Sequence, residues 1–74
     1  MPLYNKLKEY RVRIGVNQAD LGKMVGVSRQ TISLIERGDY SPSVSLALKL
    51  AKEFNCPVEE IFEYINDEGE EDDE

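Results

Sequence analysis

Apolar residues recur every three or four positions along most of this chain, the spacing that lays a stripe along one face of an α-helix. Gly, Ser, Asn and Pro interrupt it at short intervals. Five short helices are predicted. The first covers about 5–14, with Leu7, Tyr10, Arg11 and Ile14 on one stripe. The second covers 18–25, with Asn17 as its N-cap and Asp20 at the third helical position. The third covers 29–37 behind the N-cap Ser28, and the fourth 43–54 with Val44, Ala47, Leu48, Ala51 and Phe54 expected inward. The fifth opens at Pro57, carries Glu59 in its first turn and ends near 62 or 63, with Cys56 as a poor N-cap. Gly15, Gly26 and Gly38 each follow a helical segment, where the chain must pass through the left-handed region. Gly22 lies inside a helical pattern instead, at a cost of about 1 kcal/mol relative to Ala. Another helix passing too close for a Cβ would explain it.

Leu3 and Tyr4 precede the first helix, and Tyr64 and Ile65 follow the last. Both segments are too short to be helices. Two readings stay open: a two-stranded ribbon that closes the domain, or part of a dimer contact.

Composition narrows the function. A chain of 74 residues holds one domain, expected at 1–65, and its single Cys and absent His leave no internal disulfide and no His/Cys zinc site. His-dependent acid–base and triad chemistry goes with them, so neither a catalytic residue, a metal nor a cofactor is expected. No apolar run nears the ~20 residues of a membrane span, and Met1-Pro2-Leu3 lacks a signal-peptide pattern, so a cytoplasmic protein is expected. The net charge of −6 argues at first against a nucleic-acid partner. Its distribution reverses that, because residues 63–74 hold eight acids and no base. Residues 1–62 keep all nine bases against seven acids. The block at 66–74 reads as an acidic, disordered tail, either merely solubilising, or binding a partner, or competing with phosphate for the protein's own basic face.

Only Gly26-Val27-Ser28 separates the second helix from the third, the arrangement of a helix-turn-helix. Leu21, Val25, Val27, Ile32 and Ile35 have the spacing to lock the pair together. The outer face of the third helix would carry Gln30, Ser33, Leu34 and Arg37, with Arg29 nearby, where a plain solvated face would carry Glu and Lys. Guanidinium, amide, hydroxyl and one apolar group can pair with guanine, adenine and the thymine methyl in the major groove. Glu36 falls on the inward side.

Residues 17–22 (Asn-Gln-Ala-Asp-Leu-Gly), 26–33 (Gly-Val-Ser-Arg-Gln-Thr-Ile-Ser) and 35–38 (Ile-Glu-Arg-Gly) resemble the Cro/CI (Xre) family of helix-turn-helix regulators. The similarity continues through 40–43, 48–51 and 58–62 and so spans about 5–62, nearest to the small stand-alone members. It implies an all-α, five-helix domain that acts as a homodimer on a palindromic operator in double-stranded DNA. It also implies that Gln18 contacts phosphate and hydrogen-bonds Gln30, that Arg29, Gln30 and Ser33 read bases, and that the Thr31 hydroxyl reaches phosphate. Arg11 and Glu36 match a partly buried ion pair between the first and third helices. Leu34 departs from the family pattern, which often has a polar or basic residue there; a thymine-methyl contact is the favoured reading.

Lys23 and Arg37 are open between phosphate contacts and solvated charges. The segment 39–43 opens the fourth helix, whose free N–H groups with Ser41 and Ser43 make a phosphate site. Tyr40 either adds an O–H contact there or packs the turn. The dimer surface is expected at Phe62, Tyr64 and Ile65 with Leu3 and Tyr4 beside them. Cys56 reads as a small packing residue rather than a redox switch. The expected function is a DNA-binding transcriptional regulator acting as a repressor. The alternative is an antitoxin or adaptor with the acidic tail as its handle for a protein partner.

Overall fold

The computed structural model describes residues 3–64. Ile65 and the acidic segment 66–74 therefore lie outside the described residues, as does the side chain of Leu3. The order is β1 (Leu3–Asn5), α1 (Leu7–Arg13), α2 (Gln18–Val25), α3 (Arg29–Glu36), α4 (Val44–Phe54), α5 (Val58–Ile61) and β2 (Phe62–Tyr64).

Side-chain caps set three of the helix starts. The Asn17 Oδ1 accepts from the Asp20 N–H at 2.7 Å, and the Ser28 and Ser43 hydroxyls accept from Thr31 and Leu46 at 3.1 Å each. Gly15, Gly26 and Gly38 take φ of 80°, 81° and 83°, in the left-handed region. Asn55 does the same at 56° and ends α4, a role the sequence pattern did not single out.

Two helix starts differ from expectation. Asn5 belongs to β1, and its side chain works twice: Oδ1 accepts from the Leu7 N–H at 3.0 Å and Nδ2 donates to the Ile35 carbonyl at 2.9 Å. Those bonds cap α1 and tie the ribbon to the end of α3, so the helix begins two residues later than its polar start suggested. At α5 the N-cap is Pro57, in extended conformation, rather than Cys56. Cys56 is half-buried against the core; burial, and next the charge of Glu60, push its thiol up, away from the reactive thiolate.

β1 and β2 form the antiparallel ribbon, pairing Leu3 with Tyr64, Tyr4 with Glu63 and Asn5 with Phe62. Strand alternation sets Tyr4 and Glu63 on one face and Phe62 and Tyr64 on the other. The apolar residues expected to make one dimer patch are thus divided between two faces. Tyr10 links α1 to the far end of the chain: its O–H donates to Glu60 Oε1 at 3.0 Å and its ring lies 5.6 Å from Phe54.

Leu7, Leu21, Val25, Ile32, Ile35, Leu46, Leu50, Phe54 and Ile61 make one core, drawn from all five helices. The expected inward stripe of α4 is corrected here. Leu46 and Leu50 are buried with Ala51 and Phe54, while Val44 and Leu48 are 76% and 56% exposed. Ser45, Lys49, Lys52 and Glu53 fill one side of this helix and apolar residues the rest, an arc wide enough for its periodicity to admit two stripes. Packing between α2 and α5 chooses the one carrying Leu46 and Leu50. Ile14 is also exposed, because α1 has already ended at Arg13.

Gly22 admits the close approach of the turn and of Ser28, the N-cap of α3, whose backbone lies 3.2 Å from where a Cβ would stand. A Cβ there would lie 2.5 Å from the Val27 carbonyl oxygen, and the Val27 N–H donates to the Gly22 carbonyl at 2.8 Å. The glycine lets the turn fold back onto its own helix. Gly22→Ala is expected to destabilise the protein by about 1–3 kcal/mol, as overpacking against backbone outweighs the ~1 kcal/mol gain in helix propensity. Urea unfolding should show a lower midpoint at unchanged slope; an unchanged or higher midpoint would contradict the close approach.

Candidate nucleic-acid interface

The interface is built on the α2–α3 pair. Gly26 turns the chain after α2, and Ser28 opens α3 two residues later. Ile32 and Ile35 then anchor α3 with almost no exposed surface. The opposite side of α3 faces solvent. Arg29 and Gln30 are exposed on its first turn, and Ser33 and Leu34 are half-buried one turn on. Arg37 is exposed just past the helix end, with its Nε 3.3 Å from Asp39 Oδ2. Such an exposed pair is worth little energy and leaves most of the guanidinium open.

The remaining expected residues frame that face. Lys23 is exposed on the last turn of α2. Thr31 is half-buried, its hydroxyl 3.1 Å from that of Ser28. Tyr40, Ser41 and Ser43 are exposed in the segment that opens α4. The Ser43 oxygen is used as a cap acceptor, which leaves its O–H proton free to donate.

Glu36 lies behind this face. Its carboxylate is 6% exposed and takes Arg11 Nε on Oε2 at 2.6 Å and Arg11 Nη2 on Oε1 at 3.3 Å. Arg11 Nη1 donates to the Val16 carbonyl at 3.0 Å, and its side chain is only 11% exposed. A bidentate guanidinium is the partner a buried carboxylate needs.

The expected bond between Gln18 and Gln30 is absent. Gln18 Nε2 donates to Glu36 Oε1 at 2.9 Å instead. An ionised carboxylate is a stronger acceptor than an amide carbonyl, and Glu36 has a lone pair left once Arg11 is bound. Sequence patterning could not foresee this, because residues 18 and 36 meet only when α2 packs on α3. The single hint was an acid on the buried side of α3.

Arg11→Met alone is expected to cost about 3–5 kcal/mol, because it leaves the Glu36 charge buried without a cation. Arg11→Met/Glu36→Leu is expected to recover most of that loss in the same urea titration. A single substitution as mild as a surface mutation would show that the pair is not buried in solution.

A helix-turn-helix family model matches residues 7–61 of the chain. An HTH-type transcriptional regulator of Bacillus subtilis is 53% identical over 58 residues, which are 78% of this chain and 88% of that relative. One from Methanocaldococcus jannaschii is 55% identical over 64 residues, covering 86% and 97%. Among solved structures, the P22 c2 repressor in complex with a synthetic operator superposes with a TM-score of 0.69 and 38% identity over 72% of this chain and 80% of that one. The restriction-modification controller protein C.AhdI of Aeromonas hydrophila gives 0.67 and 31% over 73% and 78%. The match runs from the first turn of α1 to the end of α5, and the chain belongs to the Xre/Cro-CI type of helix-turn-helix proteins, DNA-binding regulators of transcription.

Proposed function

We propose that this chain is a dimeric repressor that reads a two-fold symmetric operator by laying α3 in the major groove. The observation that carries the reading is the two-sidedness of α3: Ile32 and Ile35 fix it in the core, while Arg29 and Gln30 stand exposed on the other side. Side chains held on a rigid helix can be matched to base edges. Arg29, Gln30, Ser33 and Leu34 take the base-reading roles in this proposal. Gln18, Lys23, Thr31, Arg37, Tyr40, Ser41 and Ser43 contact phosphate and set the register.

One short helix reads only a few base pairs, so specificity asks for two copies with recognition helices roughly 34 Å apart. The surface proposed for the second copy is the ribbon face with Phe62 and Tyr64, the latter 58% exposed. Leu3 and Ile65 belong to the same proposal, whereas Tyr4, 47% exposed on the opposite face, would join it only at the ribbon edge. Repression then follows from occupying a site that polymerase needs, and the protein would act in the cytoplasm, where its operator lies.

Selection of bound duplexes from a random pool, at near-physiological salt, tests the reading. The expected result is a two-fold symmetric consensus with half-sites about one DNA turn apart. No enrichment would overturn it, and an asymmetric consensus would overturn the dimer. On the selected site, Arg29→Ala or Gln30→Ala should cost about 1–3 kcal/mol and relax preference at one base position. Lys23→Ala should weaken all sequences alike and flatten the salt dependence. Uniform losses for all three would remove the base-reading assignment.

A further inference from the structure

We infer that Glu36 is a positioning residue for phosphate binding, acting through Gln18, and that the Arg11–Glu36 pair is therefore part of the DNA-contacting apparatus as well as of the fold. The inference rests on the proposed phosphate role of Gln18 and extends it to a residue that never meets DNA.

The geometry is a relay across three helices. Arg11 from α1 donates to both carboxylate oxygens, to Oε2 at 2.6 Å and Oε1 at 3.3 Å, and Gln18, the first residue of α2, donates to the same Oε1 at 2.9 Å. A primary amide has two N–H groups in one plane with its carbonyl. With one N–H held by Glu36, the plane of the Gln18 side chain is set and its second N–H remains for another acceptor. Of the first-turn N–H groups of α2, that of Asp20 is taken by Asn17 Oδ1, while those of Gln18 and Ala19 lack intrahelical partners, and the helix dipole favours an anion there. A phosphate oxygen would meet a donor set already in place, rather than having to order a side chain with three free torsions.

Electrostatics explains why the holder is an ion pair. A lone carboxylate close to a phosphate site would repel the anion. Arg11 cancels the charge of Glu36 while leaving Oε1 able to accept from Gln18. A glutamine at position 36 could still accept through its carbonyl, whereas an apolar residue could not.

The test uses the full chain and the duplex found by selection, with each phosphate near the half-site replaced in turn by an uncharged methylphosphonate. The proteins compared are wild type, Gln18→Ala, Glu36→Gln and Arg11→Met/Glu36→Leu, the last keeping an apolar packed pair with no unpaired charge. Side-chain amide NMR of Gln18 in the DNA-free proteins gives an independent reading. In wild type, Gln18 should show an ordered amide, and neutralising one phosphate per half-site should weaken binding about tenfold, as expected for a hydrogen bond to a charged group. Gln18→Ala should be insensitive at that phosphate alone. The double variant should be folded, show a motionally averaged Gln18 amide, and match Gln18→Ala in its insensitivity. Glu36→Gln should retain most of the wild-type sensitivity.

A folded double variant with wild-type sensitivity at that phosphate would overturn the proposal and leave the Gln18 contact standing. A disordered Gln18 amide in wild type would overturn it as well. If wild type and Gln18→Ala respond identically at every phosphate, the phosphate role of Gln18 fails, and the proposal with it.

Discussion

The Glu36 side chain is only 6% exposed and takes its donors from two other helices, and the contact it makes with Arg11 and Gln18 organises the helix-turn-helix. Arg11 must come from α1 to meet it, which fixes the first helix against the third. Gln18 meets it from the start of α2, so one side chain of α3 joins three helices within 3.3 Å. The apolar core alone would tolerate small rotations of these helices, since Leu, Ile and Val pack in several ways. A bidentate ion pair with an amide on its remaining lone pair tolerates far less.

The same constraint keeps the two faces of α3 distinct. Ile32, Ile35 and Glu36 are all occupied on the inside, which leaves the outside to Arg29, Gln30, Ser33 and Leu34. The turn depends on a second close fit, the Val27 carbonyl lying where a Cβ of residue 22 would stand. Glycine at that point sets the separation of α2 from the turn, and hence how far α3 projects. Asn5 adds a third tie by donating to the Ile35 carbonyl, so the ribbon braces α3 from its C-terminal end.

Charge works locally in this protein. Two of the cations at or behind the interface have acidic partners: Arg11 is joined to buried Glu36, and Arg37 to exposed Asp39. Among the described residues, Lys23 and Arg29 carry no ion pair within 4.0 Å on the α2–α3 pair. The net charge of −6 comes largely from one stretch, since eight of the fifteen acids fall in residues 63–74 and residues 1–62 hold nine bases against seven acids. Mean charge was a poor guide for that reason, and its distribution along the chain a good one.

Residue pattern alone was enough for the five helices and the choice of family, though not for the ribbon or for the first residues of α1 and α5. Helix starts were legible at Asn17 and Ser28, where a side chain caps its own helix, and within one residue at Ser43, and the turn was legible from Gly26 and the apolar residues about it. These are local effects, complete within three or four residues. Tertiary structure decided what depends on partners far along the chain. It chose Leu46 and Leu50 over Val44 and Leu48, because the apolar arc of α4 is wider than the face its neighbours cover. It drew Asn5 into the ribbon and turned Gln18 from Gln30 to Glu36, because hydrogen bonds across 30 and 18 residues are set by packing and leave no periodic trace in the sequence.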